Sequence, residues 1–296
     1  MDAGIREEAG NMSILHQKRF MNLDFPFSLW IDQDLKFGAH WHQEVEMVYM
    51  LEGSMQIGLN NEIYTLNARD ILFINSGDIH YFLHNGQSNK EVVIQFGLSL
   101  LDMYSDVISG SRFINPLISR KQKIIGNSIE CVYHEIEKQI ILLINEYQSK
   151  RTGYHMAVKA RLYDLAVVIL RYVPLERYSL EERTKQLLQL EVLKKIFQYV
   201  EEHYESEINL EDISTSVNYS VFYFPRFFKG VTGMTFGHYL RDFRIRKAEE
   251  FLRKNDSSIS EVAFRCGFNS VKTFNRVFKQ LRGCSPTAYK KAIYEK

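Results

Sequence analysis

The sequence has few cysteines and prolines and no long hydrophobic run. Its 296 residues include three cysteines that are far apart and form no CxxC pair, which argues against a disulfide framework or a zinc ribbon and favours a reducing compartment. No apolar run approaches the ~20 residues of a membrane span, and residues 1–10 are too polar for a signal peptide. With five prolines and 25% charged residues, the chain is predicted to be globular, cytoplasmic and without a membrane partner.

The formal net charge of +1 conceals two halves of opposite sign. Residues 1–185 carry 19 basic and 23 acidic side chains, whereas residues 186–296 carry 18 basic and 13 acidic ones. From Ser220 onward there are 16 basic and six acidic residues, a net charge of +10. Such a local excess of positive charge is typical of a nucleic-acid-binding segment.

Between about Phe20 and Leu98, short runs of β-forming residues alternate with turn signals such as Gly77-Asp78. Strands at this spacing, with no long helical pattern between them, predict an antiparallel sandwich or barrel. The predicted strands are Glu46–Leu51, Met55–Leu59, Ile63–Leu66, Ile71–Ile74 and Glu91–Phe96.

The period changes to that of a helix between about Asn127 and Tyr172, and Pro174 ends the pattern. Two amphipathic helices are predicted, which cover the sheet, cover each other or take part in dimerisation. The first apolar series is Ile129, Tyr133, Ile136, Ile140, Leu143 and Tyr147; the second is Met156, Ala160, Tyr163, Val167 and Leu170.

A repeat occupies the basic C-terminal segment. Ser220, Phe224, Arg226, Phe228, Lys229, Gly233 and Tyr239 recur 50 residues later as Ser270, Phe274, Arg276, Phe278, Lys279, Gly283 and Tyr289. This register predicts a duplicated unit.

Each copy has the pattern of a helix-turn-helix. In the second copy, Ser258 and Glu261 form a capping box, Gly267 interrupts the helix, and Ser270 is placed to cap a new one. The second helix has a basic, polar outer face and is predicted to be a recognition helix for the DNA major groove.

The segment Ser258–Lys291 resembles the signature of AraC-type transcriptional regulators through Gly267-Phe268, Phe274, Arg276, Phe278-Lys279, Ser285-Pro286 and Tyr289. The resemblance implies two helix-turn-helix subdomains bridged by a helix over about Phe236–Lys254, which place their recognition helices in successive major-groove segments of double-stranded DNA. It also implies a homodimer and RNA polymerase as a partner.

The resemblance places the DNA contacts in the two recognition helices. Arg276 and Asn275 suit hydrogen bonds to guanine and adenine, whereas Lys279 suits a phosphate. Pro225 departs from a regular helix and predicts a kink or a 3₁₀ first turn. The predicted DNA-binding residues are Ser220, Val221, Phe222, Arg226, Lys229, Ser270, Val271, Lys272, Thr273, Asn275, Arg276 and Lys279.

A second resemblance lies in the acidic half. His40, His42 and Glu46, followed by His80, resemble the two cupin motifs, although Asp34, Asp70 and Asn75 replace two glycines and a proline of those motifs. Three imidazoles and a carboxylate suit a divalent metal such as Fe, Mn, Zn or Ni. In a sensor domain the same side chains can instead bind the hydroxyl groups of an organic ligand. The predicted ligand-binding residues are His40, Trp41, His42, Glu46 and His80, and the same set without Trp41 is the candidate metal site.

Together these features predict a two-domain α+β protein: an N-terminal cupin-like β-barrel with a helical linker, and a C-terminal all-α domain of two helix-turn-helix subdomains. The predicted segments are an N-terminal arm (1–22), the sensor (23–110), a helical linker and dimerisation region (111–180) and the DNA-binding domain (187–296). The predicted function is a ligand-responsive, non-enzymatic activator of carbohydrate-utilisation genes, with a small-molecule effector, a sugar by resemblance, and no obligatory cofactor. The alternatives are a metal or pH sensor that uses the His/Glu cluster, and a cupin enzyme fused to a DNA-binding tail.

Overall fold

The computed structural model describes residues 25–33, 37–60, 62–83, 88–104, 108, 110–120, 129–254 and 257–294. It divides into two compact units, Met1–Leu188 and Gln189–Lys296, called here the N-terminal and C-terminal units. The predicted N-terminal arm, residues 1–22, lies outside the described residues. Among the helices of the described part, none is long and apolar enough to cross a membrane.

The N-terminal unit is rich in strands, and every strand predicted from the sequence lies within an observed one. The strands are β1 (Phe27–Gln33), β2 (Phe37–His40), β3 (Val45–Glu52), β4 (Ser54–Leu59), β5 (Glu62–Asn67), β6 (Ile71–Ile74), β7 (His80–Leu83), β8 (Lys90–Phe96), β9 (Ser111–Phe113), β10 (Leu117–Ile118) and β11 (Leu175–Arg177). A short 3₁₀ helix, Leu98–Tyr104, follows β8.

All strand pairs are antiparallel, and the described strands form separate sheets rather than one closed barrel. The larger sheet has the order β1-β8-β3-β6-β10, the second has the order β2-β7-β4-β5, and β9 pairs with β11. Residues of both larger sheets, including Val48 and Met50 of β3 and Ile57 of β4, share one buried cluster, so a core lies between the two sheets. The predicted strand-rich, cupin-like fold of this region is confirmed.

Two helices, α1 (Ile129–Ser149) and α2 (Tyr154–Tyr172), cover the outer face of the five-stranded sheet. β3 is buried on both of its faces. Met47 and Tyr49 pack with the two helices, whereas Val48 and Met50 point between the sheets. Four members of the predicted series on α1, Tyr133, Ile136, Ile140 and Leu143, are fully buried in the core that this helix shares with the sheet.

The second helix buries a different face from the predicted one. Val158, Leu162 and Leu165 of α2 are buried, whereas Met156 is 78% and Val167 42% exposed. The difference arises because α2 is apolar on more than one side, and periodicity alone cannot tell which of two apolar stripes meets the sheet.

A buried carboxylate joins α1 to the sheet. Both oxygens of Glu137 accept hydrogen bonds from Arg69 (2.9 and 2.7 Å), and Oε1 also accepts one from each hydroxyl of Tyr49 (2.7 Å) and Tyr133 (2.6 Å). Burial opposes the charged form, but these hydrogen bonds from Arg69, Tyr133 and Tyr49 hold the pKa of Glu137 at about 2. Glu137 is therefore a structural anion with its partners in place.

The C-terminal unit is entirely helical within its described residues. Its helices are α3 (Leu180–His203), α4 (Leu210–Ser216), α5 (Phe224–Thr232), α6 (Phe236–Lys254), α7 (Ile259–Arg265), α8 (Val271–Arg282) and α9 (Pro286–Tyr294). The helix α6 has the bounds predicted for the bridging helix. The helix α3 begins in the N-terminal unit, seven residues before the predicted start of the DNA-binding domain at 187, and the division between the units falls inside it.

Each end of α6 packs into its own small core. Phe224 and Phe228 of α5 pack with Phe236 and Tyr239 of α6, with ring centroids 5.3 to 5.5 Å apart. Ile245, Ala248 and Leu252 of α6 form the other core with α7 and α8. The predicted arrangement of two helical subdomains bridged by one helix is thereby confirmed.

Candidate DNA interface and effector site

The second helix-turn-helix, α7 and α8, is called here the second reader, and the first, α4 and α5, the first reader. The second reader is built by the local signals seen in the sequence. The Ser258 hydroxyl accepts a hydrogen bond from the Glu261 amide (3.2 Å), and the Glu261 carboxylate accepts one from the Ser258 amide (2.7 Å), which completes a capping box. Gly267, at φ +74°, then turns the chain. The Ser270 hydroxyl accepts a hydrogen bond from the Thr273 amide (3.2 Å) and caps α8.

The buried and exposed faces of α8 separate packing residues from candidate contacts. Phe274, Val277 and Phe278 are buried. Ser270 and Val271, at the helix start, are partly exposed, and the remaining predicted contacts on α8 are exposed: Lys272, Thr273, Asn275, Arg276 and Lys279. The helix therefore offers three cations and two hydrogen-bonding side chains on one surface.

The first reader, α4 and α5, has the same design with an altered helix start. The Ser220 hydroxyl accepts a hydrogen bond from the Tyr223 amide (3.1 Å), and that amide also bonds the Ser220 carbonyl three residues back, as in a 3₁₀ turn. The α-helix begins only at Phe224, three residues later than the equivalent start of α8, with Pro225 in its first turn. The irregular start that Pro225 predicts is observed.

The predicted contacts of the first reader are all exposed. Arg226 and Lys229 of α5 occupy positions equivalent to Arg276 and Lys279 of α8. Ser220, Val221 and Phe222 precede the helix, and the Phe222 ring is 81% exposed.

The candidate effector site is a buried cluster of His40, His42, His80 and Glu46, each at most 3% exposed. His40 and His80 face each other across β2 and β7, with ring centroids 4.0 Å apart. Glu46 belongs to β3 in the opposite sheet, so that the cluster lies between the sheets. Trp41, which lies between His40 and His42 in the sequence and was also predicted to bind the ligand, is buried.

Backbone carbonyls orient all three imidazoles. The Nδ1 atoms of His40, His42 and His80 lie 2.9 to 3.0 Å from the carbonyl oxygens of Gly38, Glu44 and Asp78. Because a carbonyl only accepts, each Nδ1 carries the proton of that hydrogen bond, which leaves Nε2 for other partners. One ring nitrogen from each histidine lies within 4.8 Å of the others.

The charges of the cluster are set by burial and by Glu46. Burial, reinforced by the neighbouring imidazoles, lowers the pKa of His40 well below its usual value, and burial lowers the pKa of His80 to about 4. Burial also opposes charge on Glu46 and His42. His80 and the 3.2 Å hydrogen bond to His42 nevertheless lower the pKa of Glu46. The same hydrogen bond and the negative charge of Glu46 raise the pKa of His42. At neutral pH the cluster therefore contains two neutral imidazoles beside a carboxylate.

Two atoms in this cluster have no hydrogen-bond partner within the described part of the chain. They are Glu46 Oε1 and His80 Nε2, which lie 3.6 Å apart. Unsatisfied buried polar atoms are rare in folded proteins and mark positions where a ligand, an ion or a water supplies the missing partner.

Two family models match this chain, one over each unit. The model described as the AraC-like ligand binding domain matches residues 22–166, and a helix-turn-helix domain matches residues 213–292. The chain belongs to the AraC family of transcriptional regulators. It is therefore a DNA-binding regulator with a ligand-binding domain, as the sequence predicts.

Similar proteins extend over most of this AraC-type chain. It is 27% identical over 261 residues to YdeC of Bacillus subtilis (strain 168), described as an uncharacterized HTH-type transcriptional regulator, and the match covers 85% of each chain. It is 23% identical to the HTH-type transcriptional activator RhaS of Escherichia coli O1:K1 / APEC, over 94% of this chain and 92% of RhaS. A solved structure of ToxT from Vibrio cholerae O395 is 15% identical, with a TM-score of 0.42, and the match covers 92% of this chain and 99% of that one.

Not every basic residue of this AraC-type regulator is available to DNA. Arg282, at the end of α8, makes a two-pronged ion pair with Glu249 of α6 (2.8 and 2.9 Å), and Arg246 pairs with Asp242 (3.2 Å). Nothing in the spacing of these residues distinguishes them from DNA contacts, so sequence reasoning missed their role. The Arg282–Glu249 pair holds the second reader on the bridging helix, whereas the Arg246–Asp242 pair lies within that helix. The outward cations of α5 and α8 remain for a polyanion.

Proposed function

We propose that this AraC-type regulator activates transcription in response to an effector bound in its N-terminal unit, without enzymatic activity of its own. The observation that carries the proposal is the pair of equivalent readers. The Ser220 and Ser270 hydroxyls each accept a hydrogen bond from the amide three residues on, and Arg226 and Arg276 are exposed at equivalent positions. Activation is supported by the similar protein RhaS, which is named a transcriptional activator. Contact with RNA polymerase is the step that the family resemblance implies for activation.

The two readers have different tasks in this proposal. In α8, Arg276 and Asn275 hydrogen-bond to base edges, and Lys279 binds a phosphate. In the first reader, Arg226 and Lys229 supply phosphate contacts and the turn that starts at Ser220 fits the shape of the groove. Hydrogen-bonded base recognition is therefore concentrated in the second reader.

Operator selection tests this division. The full-length chain selects duplexes from a random pool, and the selected site is then bound by the single variants Arg226→Ala and Arg276→Ala. We expect R276A to relax the preference at one or two base pairs by about 1–3 kcal/mol, and R226A to weaken binding to all duplexes alike. A larger loss of sequence preference in R226A than in R276A would contradict the division.

The effector is proposed to be a carbohydrate that lies against His40, Trp41, His42, Glu46 and His80. Neutral imidazoles and a carboxylate can exchange hydrogen bonds with hydroxyl groups, and the unsatisfied Glu46 Oε1 and His80 Nε2 are available as acceptors. Thermal unfolding of the full chain against a panel of sugars tests this, because a ligand at 100 times its Kd adds about 2.7 kcal/mol of stability. The stabilisation is expected to disappear in His40→Ala; if it persists there, the effector lies elsewhere.

A divalent transition metal is a second candidate for the same cluster. The three orienting carbonyls, the convergent ring nitrogens and the Glu46 carboxylate form a set that suits such an ion. A bound metal would replace the proton between His42 and Glu46 and offer open positions to an organic effector. Metal analysis of purified protein, with His80→Ala as the control, distinguishes this candidate: stoichiometric metal that is lost in the variant supports it, and metal-free protein that still responds to a sugar contradicts it.

The proposed dimer interface is the exposed apolar stripe of α2, which contains Met156, Ala160 and Val167. Tyr163 and Leu170, partly buried, extend the stripe along the helix. Burying such a stripe against a second copy removes apolar surface from water. In sedimentation, Val167→Glu is expected to give monomers, whereas Asn145→Glu, on the exposed side of α1, keeps the dimer. A wild-type monomer at all concentrations would contradict this interface.

A further inference from the structure

The two carboxylate oxygens of Glu46 have different surroundings. Oε2 accepts a hydrogen bond from the side-chain amide of Gln95, which faces Glu46 across β3 and β8, and shares another with His42 Nε2 (3.2 Å). Oε1 has no such partner within the described part of the chain and lies 3.6 Å from His80 Nε2. One oxygen is therefore held by the protein, and the other is left for a bound group.

The two unsatisfied atoms of this pair are both hydrogen-bond acceptors. Because His80 Nδ1 donates its proton to the Asp78 carbonyl (3.0 Å), the neutral ring has only a lone pair on Nε2. The ionised carboxylate of Glu46 likewise only accepts. Since the two atoms are 3.6 Å apart, one donor atom can reach both of them, but a hydroxyl group has a single hydrogen and satisfies only one. The missing partner must therefore bring at least two hydrogens on one atom, or a positive charge.

The charges around this pair favour a cation over a water molecule. Glu44 adds a second carboxylate, 3.8 Å from His42 Nδ1. With His40 and His80 neutral, two carboxylates and at most one imidazolium, that of His42, leave a net negative charge. In the part of the chain that the structure describes, no lysine or arginine forms an ion pair with either carboxylate. A water molecule would satisfy both acceptors but would leave this buried charge unbalanced.

A protonated primary amine meets both requirements with the cluster as it stands. Its three N–H bonds are enough for Glu46 Oε1 and His80 Nε2, and its charge balances the excess carboxylate. A divalent metal bound by all three imidazoles would have to displace the proton between His42 and Glu46, whereas an amine leaves that hydrogen bond in place.

We propose that the effector is an amino sugar whose ammonium group binds between Glu46 Oε1 and His80 Nε2. The inference rests on the proposed carbohydrate effector and narrows it from sugars in general to sugars with a free amine. Glu46 and His80, which are at most 1% exposed, are thereby the residues that determine specificity for the effector.

Calorimetric titration of the full-length chain, in the presence of a chelator, tests this inference. D-glucosamine, D-galactosamine and D-mannosamine are each compared with the parent sugar and with the N-acetyl derivative, which keeps the ring but lacks the charge. We expect one amino sugar to bind at least about tenfold more tightly than its parent and its N-acetyl derivative, the usual contribution of a charge-assisted hydrogen bond. Glu46→Gln should remove this advantage, whereas Glu52→Gln, the same change at the exposed end of β3, should retain it.

Four outcomes would overturn the inference. Equal affinity for a parent sugar, with binding lost in His40→Ala, would do so and leave the carbohydrate effector standing. An advantage of the amino sugar that survives in Glu46→Gln would place the amine elsewhere. Binding only when zinc replaces the chelator would assign the two acceptors to a metal. Absence of binding by every sugar would refute the carbohydrate effector as well. The comparison among sugars uses the wild-type chain and so does not depend on the folding of a variant, which thermal unfolding without ligand checks.

Discussion

Replacing Glu137 by glutamine should destabilise the N-terminal unit selectively. The substitution removes the charge that Arg69 pairs with, and it places an amide NH₂ group, a donor, among the donors of Arg69, Tyr49 and Tyr133. Glu135→Gln is the matched control, since the Glu135 side chain is 41% exposed on the same helix and accepts hydrogen bonds from Lys138 and Gln139 of that helix. Its loss should stay below about 0.5 kcal/mol.

The magnitude follows from the pKa of Glu137, which is about 2 in the folded chain against an ordinary 4.5. A difference of this size corresponds to about 3 kcal/mol of stability in a fully buried site. The Arg69 side chain is 48% exposed, so that solvent screens the pair and we expect about 2 kcal/mol. Because the folded-state pKa lies below the unfolded one, this contribution is complete above pH 4.5 and is lost as the pH falls towards 2.

Urea unfolding followed by tryptophan fluorescence measures the effect. The two tryptophans of the chain, Trp30 and Trp41, both lie in the N-terminal unit, so their signal reports on that unit alone. The difference between wild type and E137Q should be constant between pH 7 and about pH 5 and should shrink at lower pH. Equal losses in E137Q and E135Q, or a difference that does not depend on pH, would refute the assignment of Glu137 as a buried structural anion.

The remaining predictions concern the C-terminal unit and the start of α3. In Gly267→Ala the added Cβ would lie 2.2 Å from the Tyr204 carbonyl oxygen at φ +74°, so we expect a loss of at least about 2 kcal/mol in thermal unfolding; a smaller loss would contradict the close approach. Gly230→Ala, in open space within α5, should instead stabilise by about 0.5–1 kcal/mol. Ser258→Ala removes a capping box and should cost about 1 kcal/mol in the same assay, unless water replaces the cap. Gln186→Ala removes the 3.3 Å hydrogen bond from α3 to the loop before β7, and should reduce the effector-dependent change in operator affinity without altering affinity in the absence of effector; an unchanged response would exclude this route of coupling.

The readers could be predicted from the sequence because their signals are local. Ser258 and Glu261 form a capping box, and Gly267 has the positive φ expected of a helix-ending turn. The irregular start of α5 followed equally from Pro225, since a proline disturbs the helix within a turn of its own position. The strands of the sensor were predicted for a similar reason, because alternation and turn residues are also local.

Features that depend on tertiary packing could not be predicted in the same way. The stripe of α2 that includes Val167 has the period of a buried face, but the sheet meets the opposite stripe. Glu137 lies one residue after the buried Ile136, and only the folded chain brings Arg69 to it, 68 residues away in sequence. The predicted domain start at 187 falls inside α3, because residues 181–186 are polar and give no apolar period. The residues of the candidate effector site were named from their resemblance to the cupin motifs, whereas the carbonyl contacts that orient the three imidazoles depend on the fold.

The duplication leaves two readers with a common interior and different tips. Phe224 and Phe228 are as fully buried as Phe274 and Phe278, so each helix-turn-helix is stabilised by residues that lie away from its exposed face. Substitutions at an exposed tip such as Phe222 can accumulate in one copy without disturbing the other, because distant sites contribute independently. In a regulator built in this way, a substitution on the exposed face of one helix-turn-helix can change the DNA sequence which that unit prefers. The other helix-turn-helix keeps its own preference.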